Sequence, residues 1–289
     1  MHCLHPISVK NKYYGLVGHP YYDMMYLSVP CGKCINCQQN RRSSWVARNR
    51  YENNHCISSC FVTLTISEEN IVYGFCAPTL DYSMLQNFWK RLRKRYGKGI
   101  KYFSCGEYGS HSGRPHFHAL IYNLPLLHND KDFYEWYRKK LQDIWPFGFL
   151  SLAPVNDNRL GYITKYIIKD DNDKKMFAEF GIEPPRLFLS RGIGDGLEKN
   201  ITGEFRYVSQ FGSISKIPRR FLEKLKRDDL QAYYKVIRER RKHFDAVAAS
   251  EFKRLGGKVF ESRNQWLNRL ALEEIQSRQL YKRSKKQIL

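Results

Sequence analysis

The chain has 289 residues, enough for one large domain or two modest ones, and 42% of them are hydrophobic, enough for a real core. Its 49 Lys and Arg against 28 Asp and Glu leave a net charge of +21, which favours a polyanionic partner through steering and counterion release. No apolar run approaches the roughly 18 residues that span a bilayer, and the opening Met1-His-Cys-Leu-His-Pro6 lacks a charged and then apolar signal region, so the chain is expected inside the cell with no membrane partner.

Eight cysteines in that setting are expected to be reduced or metal-bound. The first motif is Cys31-Gly-Lys-Cys34-Ile-Asn-Cys37, whose Cys-x-x-Cys half resembles a zinc knuckle with Gly32 at the tight turn. Three thiolates do not close a tetrahedral site. Cys3 is the best fourth ligand, with Cys56 and Cys60 behind it; free or redox-active thiols are the alternative. Residues 38–51 follow as a basic helix, with Arg41, Arg42, Arg48 and Arg50 around Trp45 and Val46. Twenty Tyr and seventeen Phe are interleaved with basic residues along the whole chain, as stacking on single-stranded bases would use.

Cys60-Phe-Val-Thr-Leu-Thr-Ile66 alternates apolar residues with Thr63 and Thr65 and reads as a strand. Asp81 can cap a helix whose Leu85, Phe88, Trp89 and Leu92 have helical spacing, with Lys90, Arg91, Arg93, Lys94 and Arg95 opposite and Gly97 at its end. Lys101–Glu107 and the run from Pro115 to Tyr122 read as two strands joined by a loop. Side chains alternate along a strand, so His116 and His118 share one face while Phe117, Ala119 and Ile121 occupy the other. If Glu107 pairs with His116, the three form a two-histidine, one-carboxylate metal site with open positions. A pair of solvent-facing histidines in an ordinary hairpin has the same spacing. A helix over about 130–145 and a strand over 148–155 come next, and Asn156-Asp-Asn158 caps a helix holding Gly161–Lys169. The order is β-α-β-β-α-β: an α+β fold with an antiparallel sheet of the split β-α-β, RRM-like type, helices on one face and the histidines on the uncovered one.

In the last of these helices Tyr162, Lys165, Tyr166 and Lys169 fall at i, i+3, i+4 and i+7 and share a face, with Ile163, Ile167 and Ile168 inward. Ordinary surface Tyr and Lys would also suit an amphipathic helix. Alternatively a phenol can attack a phosphodiester, a lysine one turn away favours its phenolate, and a divalent metal polarises the phosphate.

His116-Phe-His118 in an apolar strand, followed by Tyr162-x-x-Lys-Tyr166, resembles the HUH endonucleases in their two-tyrosine branch, and Phe61-Val-Thr-Leu-Thr65 is similar to that superfamily's first motif. With the Cys-rich start, the run from Cys105-Gly-Glu-Tyr-Gly109 to Arg114-Pro-His-Phe-His118, and Phe188-Leu-Ser-Arg-Gly-Ile-Gly194, the chain up to about Gly194 resembles replication initiators of gokushovirus-type microviruses. The resemblance implies nicking of one strand at a viral origin, an enzyme left on the 5′ phosphate, a free 3′ hydroxyl as primer, and later religation to release circles. It implies Mg2+ or Mn2+ held by His116, His118 and Glu107, nucleophiles Tyr162 and Tyr166 aided by Lys165 and Lys169, and DNA contacts at Thr63, Thr65 and Arg114. It also implies single-stranded origin DNA, host helicase and host polymerase as partners, in the cytoplasm of a bacterial host. The rivals are an HUH transposase or relaxase and a non-catalytic single-strand-binding module; the latter lacks the exposed RNP-type aromatics it needs.

Beyond Gly194 the sequence is basic. Residues 170–203 read as an irregular connection folding over the sheet. Pro218 opens a helical region with Leu222, Leu225, Tyr233, Tyr234, Val236 and Ile237, and Arg238-Glu-Arg-Arg-Lys242 is a charged block on it. Gly256-Gly257 precedes a last helix with Trp266, Leu267 and Leu270, and five basic residues lie between Arg278 and Lys286; nucleic-acid contact is expected here. The expected domains are a Cys-containing segment over 1–59, a nickase core over 60–170 and a basic helical region over 171–289.

Overall fold

A computed structural model of the chain describes residues 3–125, 131–167, 171–197, 206–208, 214–254, 269 and 272–280. Lys169, Ile168, Trp266, Leu267, Leu270 and the tail beyond residue 280 lie outside the described residues. In chain order the strands and helices are β1 (Ile7–Lys10), β2 (Tyr26–Val29), α1 (Ile35–His55), β3 (Ser59–Thr65), β4 (Val72–Tyr73), β5 (Pro78–Thr79), α2 (Tyr82–Tyr96), β6 (Lys101–Tyr108) and β7 (Pro115–Tyr122). Then come α3 (Lys131–Gln142), β8 (Leu150–Ala153), α4 (Asp157–Ile163), a 3-10 turn (Thr164–Ile167), α5 (Asp171–Glu179), β9 (Leu187–Leu189), β10 (Arg206–Val208), β11 (Ile214–Lys216), α6 (Arg219–Asp228) and α7 (Leu230–Arg254). Two compact units result: residues 48–195, and residues 1–47 together with 196–289. Among the described residues no helix is long and apolar enough to cross a membrane.

The unit of residues 48–195 is α+β. Its five-stranded sheet has the order β8-β3-β7-β6-β9 and every pairing is antiparallel. Period-2 patterning explains the faces. Val62 and Leu64 of β3 and Phe117, Ala119 and Ile121 of β7 point to one side and are fully buried. There they meet Leu85, Phe88, Trp89 and Leu92 of α2, Tyr137 and Leu141 of α3, and Trp145. Burying each large apolar side chain here contributes about 1.5–3 kcal/mol. The α2 cap is as the sequence predicts: the Asp81 side chain accepts from the Ser83 amide at 2.8 Å, and Gly97, at φ +93°, ends the helix.

Three features differ from the sequence expectation. First, residues 187–189 form β9, an edge strand beside β6, rather than a connection lying over the sheet. Second, the histidine face is partly covered: Tyr122 donates to Asn49 Oδ1 of α1 at 3.0 Å, and Arg50 of α1 pairs with Asp157, the first residue of α4, at 2.9 Å. Third, the tyrosine-bearing helix does not run on as α-helix. It tightens to 3-10 at Thr164, whose Oγ1 donates to the carbonyls of both Leu160 and Gly161 at 3.0 Å.

The other unit contains the β1-β2 hairpin, the start of α1, and α6 and α7. Phe221 and Leu222 of α6 and Val236 and Ile237 of α7 are buried. Lys226 donates to the Tyr13 hydroxyl at 2.7 Å, and Arg241 pairs with Asp23 through both guanidinium nitrogens at 2.8 and 2.7 Å.

Candidate active site and metal centre

Glu107 stands opposite His116 in the β6-β7 register, and Thr65 and Thr63 stand opposite His116 and His118 across β3. This pleat gathers one donor atom each from Glu107, His116 and His118 within 4.8 Å of one another. Glu107 Oε2 lies 3.1 Å from His118 Nε2 and 3.7 Å from His116 Nε2. Gly106 lets the strand carry Glu107 in this position, because a Cβ at residue 106 would come within 2.8 Å of both Leu80 Cδ1 and the Tyr82 hydroxyl.

Each imidazole is held from behind. His116 Nδ1 is 3.1 Å from the Arg114 carbonyl, which can only accept, so in the neutral ring Nδ1 carries the proton and Nε2 keeps its lone pair toward the cluster. His118 Nδ1 shares a 3.1 Å hydrogen bond with Thr63 Oγ1. A hydroxyl can donate or accept, so it serves either tautomer. Burial, with His116 and Lys165 nearby, holds the His118 imidazole below its ordinary pKa despite Glu107, which favours the neutral ring that a metal requires. Two imidazoles and a carboxylate fit a divalent transition metal such as Mn2+ more closely than Mg2+, which prefers oxygen throughout.

α4 and its 3-10 extension bring the tyrosines to the same carboxylate. The Tyr162 hydroxyl donates to Glu107 Oε2 at 2.6 Å, and Lys165 donates to Oε1 at 3.0 Å. Tyr166 also hydrogen-bonds to Glu107, and Lys165 Nζ lies 3.8 Å from the ring centre of Tyr162 and 5.0 Å from that of Tyr166. Burial opposes the charge of Glu107, but the imidazole and phenol donors outweigh it and hold its carboxyl well below the usual range. Burial and then Glu107 push both phenols well above the ordinary tyrosine value. The sequence expectation that a nearby lysine lowers the phenol is therefore reversed in this state, because Lys165 is paired with Glu107.

The expected DNA contacts are engaged within the protein. Thr63 supports His118, while Thr65 Oγ1 donates to the Phe149 carbonyl at 3.1 Å. Arg114 donates to the Ile66 carbonyl through Nε and Nη2 at 2.9 and 2.6 Å and pairs with Glu68 at 2.7 Å. Sequence reasoning missed the supporting role of Thr63; its signal was the strand alternation that puts Thr63 and the histidines on one face.

In the other unit the Sγ atoms of Cys3, Cys31, Cys34 and Cys37 also lie within 4.8 Å of one another. Burial opposes ionisation of Cys31, yet amide donors from Cys34 and Lys33 and the adjoining thiols bring it down to about 6. Burial pushes Cys37 and Cys3 up. Cys56 and Cys60, the reserve ligands, are not in the cluster.

Residues 59–171 match the family of the replication-associated protein ORF2. Replication-associated protein ORF2 of Spiroplasma virus 4 is 28% identical over 275 residues, covering 83% of this chain and 86% of that protein. The chain is a relative of the microvirus replication-associated proteins. Replication-associated protein ORF4 of Chlamydia phage 1 is 27% identical, over 54% of this chain and 42% of its own length. Replication-associated protein VP4 of Bdellovibrio phage phiMH2K is 25% identical, over 58% of each. The family match runs from β3 to the start of α5 and so contains Glu107, both histidines and both tyrosines, whereas the cysteine cluster lies outside it.

Proposed function

We propose that this protein initiates rolling-circle replication of a phage genome by nicking single-stranded origin DNA and taking the 5′ end onto a tyrosine. One observation carries the reading. The Tyr162 hydroxyl, 2.6 Å from Glu107 Oε2, and His118 Nε2, 3.1 Å from the same atom, meet at one carboxylate oxygen. A candidate nucleophile and a candidate metal donor set thus converge on one atom. The names of the phage relatives support the replication setting.

Glu107, His116 and His118 would hold Mn2+ or Mg2+, which supplies Lewis-acid polarisation of the scissile phosphate. The remaining work falls to the chain. Tyr162 or Tyr166 attacks phosphorus through Oη, a P–Oη bond forms, and the P–O3′ bond breaks. The phenol loses one proton and the departing 3′ oxygen gains one, so the step balances and leaves a 3′ hydroxyl primer. Joining is the reverse attack by a 3′ hydroxyl on the phosphotyrosine. Lys165, which reaches both rings, supplies the cation that offsets phenolate or phosphate charge. The basic surface supplies DNA affinity, and host helicase and polymerase in the bacterial cytoplasm use the primer.

The test is a covalent protein–DNA band on a denaturing gel after incubation with origin oligonucleotide and Mn2+. The wild type is expected to form it and the Tyr162→Phe/Tyr166→Phe double variant is not. An adduct in the double variant overturns the assignment of these nucleophiles.

A further inference from the structure

The geometry of the four cysteines points to a site that the nicking chemistry does not use. We infer that Cys3, Cys31, Cys34 and Cys37 bind one structural Zn2+ that clips the open end of the β1-β2 hairpin to the start of α1.

Topology makes the cluster. Ile7 pairs with Val29, so the hairpin returns the chain to its own beginning. Cys3 precedes β1 and Cys31 follows β2, which places two thiols distant in sequence side by side at the open end. Gly32, at φ +75°, then turns the chain so that Cys34 stands just before α1 and Cys37 lies in its first turn. Sulfur atoms around a tetrahedral zinc with bonds of about 2.3 Å are about 3.8 Å apart. Here Cys3 and Cys34 are separated by 3.9 Å, Cys31 and Cys37 by 4.0 Å, and all four thiols are unbridged.

The surroundings suit thiolate ligands. The amides of Lys33 and Cys34 point at Cys31 Sγ at 3.4 and 3.3 Å, and the Cys31 amide points at Cys3 Sγ at 3.2 Å. Such amide donors orient ligating sulfurs and offset their charge. Four thiolates around Zn2+ carry net charge of two minus, and the N-terminus of a 21-residue helix favours negative charge. Sulfur-only tetrahedral donation selects zinc over Mg2+ or Mn2+, so the two metal sites of this chain differ in chemistry. The benefit is structural. A two-stranded hairpin is marginal alone, and metal binding that requires the folded loop becomes folding free energy.

The experiment uses full-length protein purified anaerobically without chelator. Zinc is expected at about one per chain in the wild type and in His116→Ala/His118→Ala, which separates this site from the histidine site. Exchange with Co2+ is expected to give tetrahedral d–d bands and strong thiolate-to-cobalt charge transfer. Cys3→Ser is expected to keep the tetrahedral bands while losing about a quarter of the charge-transfer intensity, as one of four thiolates is removed. Absence of zinc together with no thiolate–cobalt spectrum overturns the inference, as does iron in place of zinc or a Cys3–Cys34 disulfide in protein trapped at lysis. Unchanged charge transfer in Cys3→Ser overturns the four-sulfur assignment.

Discussion

Replacing Thr63 by Val separates two roles that one residue can have at this site. Val preserves the branched shape and the β3 pairing but removes the hydroxyl 3.1 Å from His118 Nδ1. The His118 side chain is only 9% exposed, so its Nδ1 loses a partner that water does not readily replace. An unsatisfied buried polar atom costs about 1–3 kcal/mol. Loss of a group orienting a metal-binding histidine typically costs about 10–100-fold in affinity, or about 1.4–2.7 kcal/mol. The two estimates agree, so Thr63→Val is expected to weaken Mn2+ binding by one to two orders of magnitude at unchanged DNA affinity. Free Mn2+ measured by electron paramagnetic resonance during titration gives the first quantity, and anisotropy of a labelled oligonucleotide gives the second. Thr65→Val is the control, because Thr65 bonds the Phe149 carbonyl rather than a histidine. Wild-type Mn2+ affinity in Thr63→Val, with weakened DNA binding instead, would refute the supporting role and restore Thr63 as a DNA contact.

His116→Ala/His118→Ala is expected to abolish nicking while leaving the affinity for single-stranded DNA and its salt slope unchanged, since affinity comes from basic residues elsewhere; Mn2+-dependent cleavage by this variant would remove the metal assignment. Tyr162→Phe and Tyr166→Phe are each expected to retain adduct formation on a short oligonucleotide but to fail in repeated circle release, because two cleavages per genome need a second nucleophile. A single variant that sustains many rounds would make that tyrosine structural. In the other unit, burial and then Lys226 lower the pKa of His19, whose ring stacks on Tyr13 at 3.8 Å. The unfolded chain therefore takes up the proton first: stability from this group is present above about pH 6.5 and declines as pH falls below it. Urea midpoints at pH 7.5 and 5 should differ more in wild type than in His19→Phe, and equal differences would dismiss His19 as a contributor.

Much of the fold was legible because its elements are locally consistent. Alternation in β3, β6 and β7 and helical spacing in α2 agree with their burial, and the Glu107–His116 register follows from putting the apolar residues of both strands inward. β9 was not legible: Leu187-Phe-Leu189 is short, follows Pro184-Pro185, and becomes a strand by pairing with the β6 edge. Ser104 Oγ donates to the Phe188 carbonyl at 3.0 Å, and the Ser190 amide donates to the Tyr102 carbonyl at 2.8 Å. The shift to 3-10 at Thr164 depends on which way a threonine hydroxyl turns, which spacing does not encode. Cys3 could be chosen as the fourth thiol by type, but only the β1-β2 hairpin explains why it arrives beside Cys31.

The electrostatics of Glu107 bind these strands of the site together. Its two oxygens have different neighbours: Oε1 holds the Lys165 ammonium at 3.0 Å, while Oε2 faces His118 at 3.1 Å and the Tyr162 hydroxyl at 2.6 Å. Lys165 lies against the faces of both tyrosine rings, so its ammonium is committed to the carboxylate rather than to either phenol oxygen. With one negative charge beside them and partial burial around them, both phenols stay protonated. A lysine at the right helical spacing is therefore insufficient to activate either tyrosine. Activation requires relief of the Glu107 charge, and a divalent cation on the histidine side would relieve it for both phenols at once. The two tyrosines are then silenced and enabled by the same carboxylate. Such coupling suits a nickase whose second nucleophile must be ready only where a cation and a phosphate are already in place.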